Sequence, residues 1–236
     1  MLCVGVSPAV HRGGCAWTVR ATSWSSPRSG RLRTLSGMEA ELAARWNDLT
    51  SFLSEKTREK WYKMIIDAYT RRPFRGIAHL CAVFSLFDKY KDHLKDRYAT
   101  AFAIFFKNLV YDPLASDNAE KSAQLLHKFA QETTLDSVEF VKENYVADLI
   151  TASGSYSTEA HLSEGVCGAE DVHYLIDFDM AFLGDDEEQF VNHEKAQRKE
   201  YDHMSDDEYR NQRAKVQILF FSFFSAASLT FLSRIR

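Results

Sequence analysis

Cysteine is scarce in this chain and badly placed for cross-linking. Cys3, Cys15, Cys81 and Cys167 stand far apart, without a CxxC pair or a regular framework. That spacing excludes a disulfide scaffold and a paired-cysteine zinc motif, and it reads as reduced thiols of an intracellular protein. Also missing are a Gly-rich phosphate loop, a nucleophile elbow, and HxxxH or HExxH spacing. No run alternates apolar and polar residues for long enough to predict a strand. The N-terminal stretch lacks a continuous apolar core ahead of a small-residue cleavage site, so a secretory signal is not predicted. Its first 37 residues hold five Arg (Arg12, Arg20, Arg28, Arg31, Arg33) and no Asp, Glu or Lys; that segment carries +5 and, from a net charge of -4, the remainder carries -9. An acidic body with no basic stripe interleaved with aromatics argues against nucleic-acid binding.

What is present is helical periodicity. A chain of 236 residues, 45% hydrophobic and 26% charged, is long enough for one well-buried domain with tails. Trp61, Met64, Ile65 and Ala68 fall at i, i+3, i+4, i+7; so do Ile77, Leu80, Cys81 and Phe84, and Phe102, Phe105, Phe106 and Leu109 repeat the stripe. Each such helix is expected to bury one face. Val138, Val141, Tyr145 and Leu149 predict a longer helix, with Thr134 to Asp136 supplying capping groups ahead of it. Pro73 with Gly76, Pro113 with Ser116, and the stretch from Gly154 to Gly168 punctuate the pattern. The expected organisation is an all-α domain over 38–215, between an extension (1–37) and an apolar C-terminal helix or tail (216–236). The acid-free, Arg- and Ser-rich extension fits a mitochondrial transit peptide or a disordered leader before a helix starting at Met38. Val216 to Leu232 runs 17 residues without a charge, the lower limit for crossing a bilayer. It is either a membrane tail anchor or a terminal core helix; the expected location is cytoplasmic, with mitochondrial and tail-anchored alternatives.

The segment from Asp171 to Gly184 sets three carboxylates in an apolar stretch. On a helix, Leu175, Ile176 and Leu183 face the core with Asp179 among them, Asp171 caps the start, and Asp177 lies on a flank. A buried carboxylate without a partner costs several kcal/mol or becomes neutral, so something must face these aspartates. That partner is a metal ion, or an Arg or backbone group. His93, His127, His161, His173, His193 and His203 lie on polar faces or loops and are expected to be solvated. The run from Asp185 to Glu188 is expected to begin the next helix, where negative charge suits the helix dipole.

Asp177-Phe-Asp179-Met-Ala-Phe-Leu-Gly184 resembles the L-D-x-D-L-A-x-L-G signature of a small, all-α family of metal-dependent phosphohydrolases in the HD superfamily. Three further blocks agree with that family in order and spacing. They are Arg75 to His79 followed by Phe87-Asp88; Val110-Tyr111-Asp112 followed by Asp117 to Ala123; and Arg198-Lys-Glu-Tyr201 with Tyr209 and Arg213. Together they cover roughly residues 58 to 216. The resemblance implies a divalent metal held by His, a His-Asp pair and a final Asp, a donor set that suits a cation activating water against a phosphate ester.

The chain departs from that pattern at the ligands themselves. Where the family carries Tyr-His, this sequence has Phe74 and Arg75. Lys107 and Asn108 replace the His-Asp pair, Ala119 replaces an acidic residue, and Ser153-Gly-Ser-Tyr156 replaces Thr-x-x-His. Only His79, Asp177 and Asp179 persist, either aspartate matching the family ligand. Two cations beside a cation site repel a metal, and Arg75 or Lys107 instead has Asp177 or Asp179 to pair with. The expectation is therefore a catalytically inactive relative, with no cofactor, acting as a binding or scaffolding module for a protein partner. The alternatives are an active phosphohydrolase on a nucleotide or small phosphate ester, using a divalent metal on a rearranged site of His79, Asp177 and Asp179, and an adaptor anchored to membrane through 216–232.

Overall fold

A computed structural model describes residues 34–135, 140, 142–163, 166, 168–211 and 213. Its α-helices are α1 (Leu35–Leu49), α2 (Glu55–Thr70), α3 (Ile77–Tyr90), α4 (Arg97–Phe106), α5 (Asn118–Leu135), α6 (Glu143–Ser153), α7 (Glu159–Leu162), α8 (Asp171–Met180) and α9 (Glu187–Glu200). Short 3-10 turns at Lys91–His93 and Ala181–Gly184 follow α3 and α8. The protein is all-α, with no strand among the described residues. None of these helices is long and apolar enough to cross a membrane; Val216 to Leu232 and residues 1–33 lie outside the described residues.

Local chemistry explains where the helices begin. The Ser54 hydroxyl accepts the Thr57 amide at 3.3 Å, the Asp96 carboxylate accepts Tyr98 N and Ala99 N, and Asp186 accepts Gln189 N at 2.9 Å. Each satisfies amides that a first helical turn leaves without partners. The acidic run does begin α9, with Asp186 as its cap and Glu187 and Glu188 in the first turn. Two expected starts move. Helix α1 begins at Leu35 rather than Met38, because Thr34 caps it through Gly37 N. The helix expected from Val138 onward begins at Glu143; Thr134 belongs to the last turn of α5, and Val138, Val141 and Asp136 lie outside the described residues.

Helix α4 is the central element. Every residue from Ala99 to Phe106 is buried, against the expectation of a single buried face. It touches α1, α3, α5, α6 and α8, and its small Ala99, Ala101 and Ala103 let neighbours approach between the larger side chains. Phe102, Phe105 and Phe106 join Trp46, Trp61 and Phe129 in an aromatic cluster, with Trp46 to Phe105 at 5.2 Å and Trp61 to Phe129 at 5.4 Å, both edge-on. Edge-on contact suits the ring quadrupoles. The indole donors are also satisfied: Trp46 Nε1 donates to Arg58 O at 2.9 Å and Trp61 Nε1 to Glu132 Oε2 at 2.8 Å. A smaller apolar group, Phe74, Ile176, Met180 and Phe182, packs where α8 approaches the start of α3.

Candidate functional site

The end of α4 turns from apolar to charged within one residue. Arg72 donates to the carbonyls of Asn108 and Leu109, which fixes the turn holding Lys107 and Asn108. On the facing side, Glu200 at the end of α9 accepts Phe74 N and Arg75 N, both at 2.9 Å, and so sets the entry to α3. Gly76 permits that entry, since a Cβ there would meet Arg72 O at 2.3 Å. Helix α3 then presents His79, and α8 presents Asp179 from the opposite side.

Asp179 is 1% exposed and is the centre of the cluster. His79 Nε2 donates to its Oδ1 at 2.9 Å, and Asn108 Nδ2 donates to the same oxygen at 3.3 Å. On Oδ2, Arg75 Nη2 donates at 3.4 Å, and Lys107 Nζ lies at 3.0 Å. The Lys107 contact is an ion pair by distance but lacks the alignment of a hydrogen bond, leaving the amine without a directed acceptor among the described residues. Burial works to raise the Asp179 carboxyl pKa, yet the charges of Lys107 and Arg75, with the hydrogen bond from His79, hold it well below the carboxylate range. Burial pushes the Lys107 amine down, against the pull of Asp179 and with the repulsion of Arg75. Burial is the largest single influence on Arg75 and works against its charge, but Asp179, Tyr156, Tyr111 and Glu200 together outweigh it and raise the guanidinium pKa.

Aromatic rings complete the shell. The Arg75 guanidinium lies 4.7 Å from the Tyr156 ring centre and 5.4 Å from that of Tyr111, and Lys107 Nζ lies 5.5 Å from the Tyr156 ring. Such contacts contribute about 0.5–2 kcal/mol. Tyr156 has a backbone φ of 56°, the left-handed region, alone among the described non-glycine residues.

The structure therefore brings together Arg75, His79, Lys107, Asn108, Tyr156 and Asp179, which the sequence scatters over about a hundred positions. Ala119 contributes only a methyl nearby, abutting Gly154, where an added Cβ would come within 2.6 Å of it. Asp177, 2% exposed, is held apart from this set and is buried rather than flanking. His161 Nε2 donates to its Oδ1 at 3.1 Å. His161 Nδ1 accepts the Thr158 amide at 3.0 Å, which places the ring proton on Nε2. His161 is thus a positioned partner, not the solvated histidine expected, because Thr158 and its helix fold the ring inward. His193 likewise reaches Asp185 at 3.1 Å, and His127 reaches Glu143 at 2.5 Å. Asp171 does not cap its own helix. It accepts Lys95 N at 2.7 Å, Asp96 N at 2.8 Å and the Tyr145 hydroxyl at 3.0 Å, stapling α8 and α6 to the entry of α4.

These donors do not fit a divalent ion. Among the described residues no group of three His, Cys, Asp or Glu side chains converges as metal ligands; around Asp179 there is one carboxylate and one imidazole beside two cations. Unit charges 4 Å apart interact by about 4 kcal/mol at an effective dielectric near 20. A dication at Asp179 would thus meet repulsion of roughly 8 kcal/mol from each of Arg75 and Lys107, about twice in total what one carboxylate returns. The side chains that sequence reasoning missed are Tyr111, Glu200 and His161. Tyr111 and Glu200 lie inside motif blocks whose spacing was visible, and Thr158 with His161 has the spacing of a helix cap. No protein-family model matches the chain, and no curated protein or solved structure matches it either.

Proposed function

We propose that this chain is a metal-free relative of the HD phosphohydrolases that retains a helical frame and has lost hydrolytic chemistry, serving as a binding or scaffolding module. The observation that carries this reading is the occupancy of Asp179. Its two oxygens are engaged by Lys107, Arg75, His79 and Asn108, so one of the two carboxylates that the resemblance offers to a metal is already taken up by protein donors. A metal-activated water also needs several anionic or imidazole ligands, and the positions matching them hold Arg75, Lys107, Asn108, Ala119 and Tyr156.

The test is metal analysis of the full chain after exposure to Mn, Fe, Zn and Mg, with a phosphatase assay on the same samples. The expected result is no stoichiometric metal and no turnover above a protein-free control. One ion per chain, with chelator-sensitive hydrolysis lost in Asp179→Asn, would defeat the proposal.

A further inference from the structure

The start of α8 is fastened by an imidazole. Glu170 is its cap residue, and three positions on, His173 accepts the Glu170 amide on Nδ1 at 3.0 Å. In a capping box that position ordinarily holds Glu or Gln, whose oxygens accept an amide throughout the neutral range. Histidine is the side chain whose ordinary change of charge falls inside that range. A ring nitrogen that accepts an amide carries no proton, so the cap requires a neutral His173 with its proton on Nε2.

The ring is also held in place. Gly168 passes directly against it, since a Cβ there would come within 2.3 Å of ring atoms, and the His161 ring faces it at 5.4 Å between centres. His161 repeats the device at the start of α7, accepting the Thr158 amide on Nδ1, but its Nε2 meets Asp177 at 3.1 Å. The acids at the His173 end are already engaged. Glu170 pairs with Lys95 at 2.5 Å, and Asp171 accepts Lys95 N, Asp96 N and the Tyr145 hydroxyl. His93 meets the adjacent Tyr174 at 6.5 Å, and Glu164 and Cys167 lie outside the described residues.

A second proton would undo the fastening in two ways. It turns Nδ1 from an acceptor into a donor aimed at another donor, the Glu170 amide. It also sets a cation in the first turn of a helix, where the dipole favours negative charge. We infer that His173 is a proton-sensitive latch: neutral, it ties the chain at Gly168 and Glu170 to α8, and charged, it lets that start open. The same helix carries Asp177 and Asp179. The latch does not depend on whether the chain binds a metal.

Amide exchange of the full chain at about pH 7.5 and about pH 5.5, on either side of the ordinary imidazole range, tests the latch once each rate is divided by its intrinsic value. The Glu170 amide is expected to lose protection about fivefold in the acidic sample, the size of a lost cap. The Lys95 and Asp96 amides, which a carboxylate accepts, should keep theirs. In His173→Gln the Glu170 amide should be protected equally in both samples, since Gln accepts it without titrating. Nitrogen resonances of the parent ring should place the proton on Nε2 in the neutral sample and on Nδ1 as well in the acidic one. Glu170 protection that is the same in both samples of the parent, or that falls as far in His173→Gln, would overturn the inference, as would a proton on Nδ1 in the neutral sample.

Discussion

Helix α4 serves two unlike interiors from one short run. Phe102, Phe105 and Phe106 enter the aromatic cluster around Trp46, Trp61 and Phe129, and the next two residues, Lys107 and Asn108, enter the charged cluster around Asp179. Both are buried, yet they obey different rules. In the aromatic cluster stability grows with buried apolar area, so each ring adds to it on its own account. In the charged cluster each group has value only through its partners, and removing one leaves the rest buried and unpaired.

That difference predicts an asymmetry that equilibrium unfolding can measure. Phe106→Ala and Trp61→Ala each empty a large volume and should cost about 3–5 kcal/mol. Asp179→Asn changes almost no volume and should cost as much, about 3–5 kcal/mol, because it leaves Arg75 and Lys107 without a counter-charge. Lys107→Met removes one of the two cations facing Asp179 and leaves Arg75 paired with it. It should cost far less than Asp179→Asn, changing stability by no more than about 1–2 kcal/mol in either direction. Equal costs for Asp179→Asn and Lys107→Met would erase the distinction between the two interiors.

Acid sharpens the same comparison. Asp179 has its folded pKa depressed well below the ordinary 3.8, so its contribution is complete above that unfolded value and is lost as pH falls below it toward the folded pKa. The stability gap between parent and Asp179→Asn should therefore be constant from neutral pH down to about 5 and narrow below 3.8. The gap for Phe106→Ala should show no such narrowing. Denaturant midpoints for the three proteins at matched pH values check this. The smallest effect belongs to the surface: Lys60, half-exposed and paired with Glu132 at 2.7 Å, should lose only about 0.2–1 kcal/mol on Lys60→Ala, and less in high salt.

The aromatic interior was legible in the sequence because period-3.6 stripes report burial directly. Trp61 and Ile65, Leu80 and Phe84, and Phe105 and Phe106 are all buried. Periodicity did not show that α4 is enclosed on every side, since Ala99, Ala101 and Ala103 add little to a stripe while still permitting close approach. Helix starts shifted where a short polar residue took the cap, as Thr34 did ahead of Met38. The charged interior was legible only as residues out of place, namely Arg75, Lys107 and Asn108 amid apolar or motif-like neighbours. Which aspartate they faced was not readable, because Asp177 and Asp179 sit two positions apart on α8 and the choice depends on how that helix is rotated. His161 was missed for a related reason: its partly buried position comes from the cap it shares with Thr158 on the short helix α7, which is too short to leave a periodic trace.

The central claim is that protein cations take the place a divalent ion would need at Asp179. Manganese titration of the full chain, followed by the resonance signal of the free ion, tests it most directly. The account predicts that added manganese stays free at one equivalent per chain, and that Lys107→Met does little to change this while Arg75 remains. Disappearance of one equivalent from the free-ion signal in the parent protein, restored by Asp179→Asn, would contradict it.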